Sequence, residues 1–362
     1  MPRVLYVAAH RPQRSPSQRF RFEQYQDYLA SKGFDFDYSW LINENDDAVF
    51  YQPGNLHTKA AIFLKSYLRR WKDVLNVKDY DIIFVQREAF MTGSVFFEKQ
   101  FCRSGAKVIF DFDDAIWHFD VSEANKKLGW LKNPSKTSKI IKHVDHVIAG
   151  NAYLANYAEQ FNKSVTIIPT TIDTEYHKPR KDKDFHKKTI CIGWTGSLTT
   201  VKHFRLAEPF LKRIKQKYGE RVSFKLIGDG NYENLELNLK GTPWTLSREV
   251  EELQDIDIGI MPLPDDEWAK GKCGFKGLQY MAMEVPPIMS PVGMNTEIVK
   301  HGDNGFLADT DDEWFNHICY LIDNPDERER IGVNARQTII DHYSVASQKD
   351  RYLDIFKSLT DA

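Results

Sequence analysis

Short apolar runs separated by longer amphipathic stretches dominate the chain, the pattern of parallel strands joined by helical crossovers. The first run is Val4 to Ala8, followed by a loop rich in Arg, Pro and Ser and a helix from about Gln18. Further strands are expected at Phe34 to Tyr38, Ile82 to Gln86, Lys107 to Phe112, His146 to Ala149 and Val165 to Ile168. Those after Tyr38 end in polar or small residues, as strand ends at a ligand crevice do. Residues 174–188, TEYHKPRKDKDFHKK, carry charge at every second or third position and read as a solvated linker.

Beyond the linker the series restarts. Strands are expected at Thr189 to Trp194, Val222 to Ile227, Leu235 to Leu239, Ile256 to Met261 and Pro287 to Ser290, with helices over Val201 to Tyr218 and Gly277 to Met283. Three helical patterns close the chain, at Asp311 to Ile322, Pro325 to His342 and Val345 to Ser358. The pattern predicts an α/β protein of two Rossmann-like, doubly wound domains, 1–173 and 189–344, whose strand carboxyl ends face a central cleft. Such a cleft suits two substrates held away from water.

Composition narrows the function classes. A chain of 362 residues with 42% hydrophobic side chains is large enough for two cores and excludes a small binding module. The formal charge of -2 provides no field for general nucleic-acid binding. The part up to Asp173 holds 23 basic and 20 acidic residues, against 26 and 31 beyond it, so the first half is slightly positive. Cys102, Cys191, Cys273 and Cys319 form no C-x-x-C pair, which points to a reducing compartment and away from a zinc knuckle. No run approaches the roughly 18 uncharged residues of a spanning helix, so the expectation is a cytoplasmic protein with the option of lying on a membrane surface.

The most informative stretch is Gly259 to Gly305, GIMPLPDDEWAKGKCGFKGLQYMAMEVPPIMSPVGMNTEIVKHGDNG. A strand ends near Pro262, a loop bearing glycines and lysines follows, and a helix starts near Gly277. Backbone N–H groups at that start, with Lys272 and Lys276 beside them, make an anion site suited to a diphosphate. Gln279 in the first turn reaches two neighbouring hydroxyls, as on a ribose.

This stretch resembles the donor-binding segment of family 4 retaining glycosyltransferases of the GT-B architecture. Met281, Ala282, Pro286, Glu297, Ile298, Val299, Gly302, Asn304 and Gly305 fall into the family's register. Two departures stand out: Gln279 occupies the place of the family's second glutamate, and Gly271 that of its first. Asp265, Asp266 and Glu267 lie just upstream, as a substitute carboxylate or as a solvated loop. A second match, IGWTGSLTTVK from Ile192 to Lys202, puts Gly196 on the family's phosphate turn and Lys202 on its diphosphate-binding lysine. Ser197 stands where the family has an arginine, and Lys276 is the natural replacement cation. The resemblance also brings Gly228, Asp229, Gly277 and Leu278 to the donor side.

VIFDFDDAIW, from Val108 to Trp117, sets Asp113 and Asp114 at a strand exit, with Asp113 at the place of a family histidine near the reacting sugar. They either meet donor or acceptor hydroxyls or cap the next element, and no third ligand nearby suggests a metal. Ser17 and Arg19, with Pro16 and Arg21, make a basic helix start that either clamps a phosphate or faces solvent. His10 and His118 are candidate bases. The resemblance implies transfer of a sugar from a nucleotide sugar, UDP- or GDP-linked, to a glycan or lipid-linked acceptor. It implies Lys202, Lys276 and Asp113 as catalytic residues, no cofactor beyond the donor, and a last helix, 345–360, that crosses back onto the first domain. A nucleotide-sugar epimerase and a non-catalytic nucleotide-sugar-binding subunit are the alternatives.

Finally, Thr58 to Leu75 is amphipathic, with Leu64, Tyr67, Leu68, Trp71, Val74 and Leu75 on one side and Lys65, Arg69, Arg70 and Lys72 largely on the other. It is expected either to bury the apolar side in the core or to lie on an anionic membrane.

Overall fold

A computed structural model describes residues 1–52, 54–118 and 133–361. The chain forms two compact units, Met1–Thr170 with Gln348–Ala362 and Thr171–Ser347. Residues 174–188 contain neither helix nor strand and fall within the second unit.

The first unit holds a six-stranded sheet in the order β2-β1-β3-β4-β5-β6, every pair parallel. Its strands are β1 (Arg3–His10), β2 (Asp35–Ile42), β3 (Ile82–Gln86), β4 (Lys107–Phe112), β5 (His146–Ala149) and β6 (Val165–Ile167). The runs of β3 and β4 are buried almost throughout, which is why they read as continuous apolar stretches and not as alternating ones. Strand order reverses between β1 and β3, so the crevice of this sheet lies beyond His10 and Gln86. The Val345–Thr360 helix contributes Tyr352, whose hydroxyl donates to the Arg21 carbonyl at 2.6 Å, and Phe356, whose ring meets Phe34 edge-on at 5.5 Å.

The second unit holds a five-stranded parallel sheet ordered β13-β12-β11-β7-β8. The strands are β7 (Ile190–Thr195), β8 (Val222–Ile227), β11 (Ile258–Met261), β12 (Pro287–Met289) and β13 (Phe306–Leu307). Here the reversal lies between β7 and β11, whose carboxyl ends lead into the two motifs singled out in the sequence.

Four expectations need correction. Leu235 to Leu239 is no strand of the main sheet: β9 (Glu233–Asn234) and β10 (Leu239–Lys240) make a small antiparallel pair, with Leu235 left 84% exposed. The helix expected over Val201 to Tyr218 breaks into Val201–Phe204, a tight turn at Arg205–Ala207 and Glu208–Tyr218, where Pro209 lacks the amide needed inside a helix and starts a new one. The helix from Pro325 ends at Thr338 and passes into a wider turn, Ile339–Tyr343.

The fourth concerns the Leu56–Leu75 helix, for which the first of the two expected settings, a core helix with its apolar side buried, does not hold: the leucines of that side stay outside, with Trp71 and Val74 half-buried. Lys59, Ile62, Ser66 and Arg70 are the buried residues, while Leu64, Leu68 and Leu75 are 58%, 59% and 71% exposed. Arg70 explains the inversion. Its guanidinium donates to the Ala8 carbonyl on β1 at 2.7 Å, to Ser39 Oγ on β2 at 2.6 Å, to Asp73 at 2.8 Å and to the Ala89 carbonyl. A buried guanidinium with that many acceptors fixes the rotation of the helix through polar contacts.

Candidate functional site

In the second unit β7 runs out at Thr195, and the chain turns through Gly196 and Ser197. A Cβ at Gly196 would fall 2.2 Å from the Trp194 ring. Gly228, just past β8, has φ +133°, and a Cβ there would lie 2.1 Å from the Gly196 carbonyl oxygen. The two loops thus touch backbone to backbone, and only glycine fits at 228. Ser197 forms a reciprocal capping box with Thr200 and so fixes the turn into the short helix carrying Lys202 and His203. Asp229 accepts from the Asn231 amide at 2.9 Å and shapes its own turn.

The second wall follows β11. Gly274, at φ +68°, starts the Phe275–Ala282 helix, which carries Lys276. Gly277 packs on Met289, where a Cβ would meet the sulfur at 2.5 Å, and Leu278 is buried, so both serve the packing of helix on sheet. The Lys276 ammonium lies 5.6 Å from the centre of the Trp194 ring, and that of Lys272 lies 5.6 Å from the Trp268 ring.

One imidazole reports how the lysines are arranged. His203 is buried and its pKa is pushed down to about 4, first by burial and then by the charges of Lys276, Lys272 and Lys202. Three lysines from two segments about 70 residues apart therefore act on a single point. Beside them, Trp194 Nε1 and His203 Nδ1 are buried polar atoms with no hydrogen-bond partner among the described residues. An unmet buried polar group costs about 1–3 kcal/mol. Concentrated positive charge with unmet hydrogen-bonding capacity is chemistry suited to a polyanion.

Gln279 departs from its expected role. It is 2% exposed, and its amide donates to Glu249 Oε1 at 3.3 Å instead of facing outward toward a ribose. Glu249 is itself buried and also accepts from Trp244 Nε1 at 3.3 Å. Sequence reasoning missed it because REVEEL reads as a solvated acidic helix start. The upstream carboxylates resolve as the blander alternative. Asp266 caps the Glu267–Lys270 turn by accepting from the Ala269 amide at 2.7 Å, and Glu267 pairs with Lys270 at 2.7 Å.

In the first unit Asp113 and Asp114 share one partner that the sequence did not reveal. Arg87 follows β3 in a left-handed backbone conformation, φ 61°, with its amide bound to the Asp111 carbonyl at 2.8 Å. Its guanidinium meets Asp113 at 2.8 Å and Asp114 at 3.4 Å. Burial works against the charge on Arg87, but the two carboxylates outweigh it and raise its pKa above the usual arginine value. A bulky residue at positive φ is strained, and such strain gathers at sites whose geometry is over-determined.

His10, at the end of β1, lies 2.6 Å from the Tyr51 hydroxyl and is held neutral, its pKa pushed down to about 4 by burial and then by Arg14. His118 has a buried Nε2 without a hydrogen-bond partner among the described residues. Ser17 and Arg19 belong to a single helical turn, Pro16–Arg19, with the Arg19 guanidinium over the Phe20 ring. Arg21 is fully buried and meets the equally buried Asp111 at 2.6 Å, which makes it part of the core and not of an anion clamp.

Residues 189–324 match the family model of glycosyl transferases group 1. The structure of Anabaena HepE in complex with UDP and glucose is similar over 99% of this chain and 100% of its own, with a TM-score of 0.69 at 14% identity. A glycosyltransferase from Rickettsia africae matches equally, at 0.69 and 14% identity over 99% and 98% of the two chains. Sucrose-phosphate synthase from Thermosynechococcus elongatus matches at 0.68 and 12% identity over 99% of both. Among curated proteins, glycosyltransferase 1 domain-containing protein 1 of Xenopus tropicalis is 29% identical over 82 residues, 23% of this chain, and the match spans 24% of that relative's length.

The two parallel-sheet units thus have the GT-B fold. The match to the model of glycosyl transferases group 1 lies within the second unit, and the 82 residues shared with the curated relative span about a quarter of that protein's length. Among the described residues no helix is long and apolar enough to cross a membrane.

Proposed function

We propose that this chain is a family 4 retaining glycosyltransferase that moves a hexose from a UDP- or GDP-sugar to a hydroxyl of a glycan or lipid-linked acceptor. It would work in the cytoplasm, in the assembly of a surface polysaccharide or glycoconjugate, without a metal. The observation that carries this reading is the convergence of Lys202, Lys272 and Lys276 on His203 beside Trp194, whose Nε1 has no hydrogen-bond partner among the described residues. The similarity to a fold that in Anabaena HepE holds UDP and glucose supports it.

In this mechanism the bond from the anomeric carbon to the β-phosphate oxygen breaks and the nucleoside diphosphate leaves with the electron pair. Lys202 and Lys276 stabilise the charge gathering on it, which is where preorganised cations act most strongly. The acceptor hydroxyl attacks on the same face, its proton passing to the departing phosphate oxygen. Asp113, held by Arg87, contacts sugar hydroxyls. Gln279 and Glu249 support the helix that carries Lys276.

Calorimetry with UDP, GDP and ADP, followed by transfer and hydrolysis assays with the matching sugar nucleotides, tests the reading. One diphosphate is expected to bind clearly more tightly than the others, and its sugar nucleotide to be turned over. Tight binding without any turnover would favour the non-catalytic nucleotide-sugar-binding subunit.

His203 supplies a second test. Its proton affinity is depressed, so above about pH 4 the imidazole is neutral in the free protein. Between the ordinary histidine value and that point the unfolded chain binds the extra proton, so stability falls as pH is lowered through this window. A bound diphosphate offsets the repulsion from the lysines, so the His203 pKa is expected to rise on binding and affinity to increase as pH falls. NMR titration of the imidazole signal missing from His203→Gln measures this, and a titration indifferent to the diphosphate would place the anion elsewhere.

A further inference from the structure

The Leu56–Leu75 helix presents to solvent what an ordinary core helix hides. Leu64, Leu68 and Leu75 recur along one face, with the half-buried Trp71 between them and exposed Tyr67 at its edge. Phe96, 37% exposed, extends the apolar surface from the next helix, its ring 5.4 Å from that of Trp71. Arg70 and the other buried residues already dock the helix to the sheet, so these leucines are not required for packing.

The charge on the same helix indicates what covers them. Of its basic residues Lys59 and Arg70 turn inward, Arg70 beside Asp73, so the exposed cations are Lys65 and Lys72, with Arg69 half-buried. Lys65 and Lys72 are exposed along one flank of the leucine face, with Lys65 within 2.7 Å of Asp46. A second copy of the helix would bring like charges together, and lysine is depleted from the cores of protein interfaces. An anionic bilayer instead accepts both features: apolar side chains enter the boundary between headgroups and acyl chains, and flanking lysines snorkel to the phosphates.

We propose that this face is a docking surface for an anionic lipid bilayer, which lays the first unit on the membrane. The docking does not depend on the donor reaction and can be measured without nucleotide.

The full chain is sedimented with vesicles of phosphatidylcholine alone and of phosphatidylcholine mixed with phosphatidylglycerol. Binding is expected on the mixed vesicles at low salt, at least about tenfold above that on the neutral ones, and is expected to weaken as salt screens the lysines. Leu64→Gln combined with Leu68→Gln is expected to abolish it while leaving calorimetric diphosphate binding intact, which certifies the fold. Lys65→Gln and Lys72→Gln are each expected to weaken it about fivefold. Equal sedimentation with both vesicle types, or none with either, overturns the proposal. So does a lipid-free dimer, seen by light scattering, that the leucine pair variant dissociates. None of these failures alters the donor-site reading, because diphosphate binding is scored separately.

Discussion

Replacing Lys276 with alanine is expected to lower turnover by about 10²–10³-fold, comparable to the loss of one preorganised group that meets developing charge in a transition state. Diphosphate affinity is expected to fall as well, but less, since charge grows on the leaving group only as the anomeric bond breaks. Lys202→Ala is expected to have an effect of the same order. The double variant should fall short of the product of the two, because both ammonium groups act on one anion and on one another. The same substitutions raise the His203 pKa in the free protein by removing repelling charge. Calorimetry and steady-state kinetics separate the two contributions. Variants that retain wild-type diphosphate binding and turnover would remove the lysines from the site altogether. Arginine at 276 is a sharper probe than alanine, since it preserves charge but changes the geometry of donation.

The second large effect concerns stability. Asp111→Ala is expected to destabilise the first unit by about 3–5 kcal/mol, because it leaves the Arg21 guanidinium buried without its countercharge. The Arg21 guanidinium would keep its bond to the Ile168 carbonyl but lose its bonds to both carboxylate oxygens of Asp111. Replacing both residues together, Arg21→Met with Asp111→Leu, is expected to recover most of that loss, since no charge then remains to be desolvated. Urea unfolding of the three variants provides the comparison. Diphosphate binding measured well below the transition should be unchanged in all of them, because the pair supports a core and not the lysine cluster. Loss of diphosphate binding in the folded single variant would contradict this division of roles.

How much could be read in advance depended on how local each signal was. The parallel strands of both sheets other than the two-residue β13 were legible, most clearly where a strand buried on both faces is apolar along its whole length, as in IIFV and VIF. Gly228 and Gly274 were legible as loop glycines, and the structure adds the reason, positive φ at both and a close backbone contact at the first. Lys202 and Lys276 were singled out through the resemblance of their segments to the donor-binding segments of a glycosyltransferase family.

The misreadings came from contacts that cross the sequence. Gln279 was expected from its motif to reach ribose hydroxyls, and Glu249, thirty residues away, accepts from its amide. Arg87 lies 26 residues before Asp113, and nothing nearby marks it as the residue that binds both carboxylates. The Leu56–Leu75 helix is the sharpest case. Its periodicity identified a helix and set the leucines apart from Arg70, but it placed Lys65 and Lys72 with Arg70, whereas they lie exposed beside the leucines. Which side turns inward was set by where Arg70 found acceptors, on Ala8, Ser39 and Ala89 in other segments.

The sequence by itself determined the alternation of strand and helix and the two-unit organisation, because each is encoded in residues close together along the chain. Only the tertiary structure decided which charges are neutralised, which faces are hidden and which lysines converge. Those outcomes depend on distances between segments far apart in the sequence, and both desolvation and Coulomb attraction are set by those distances.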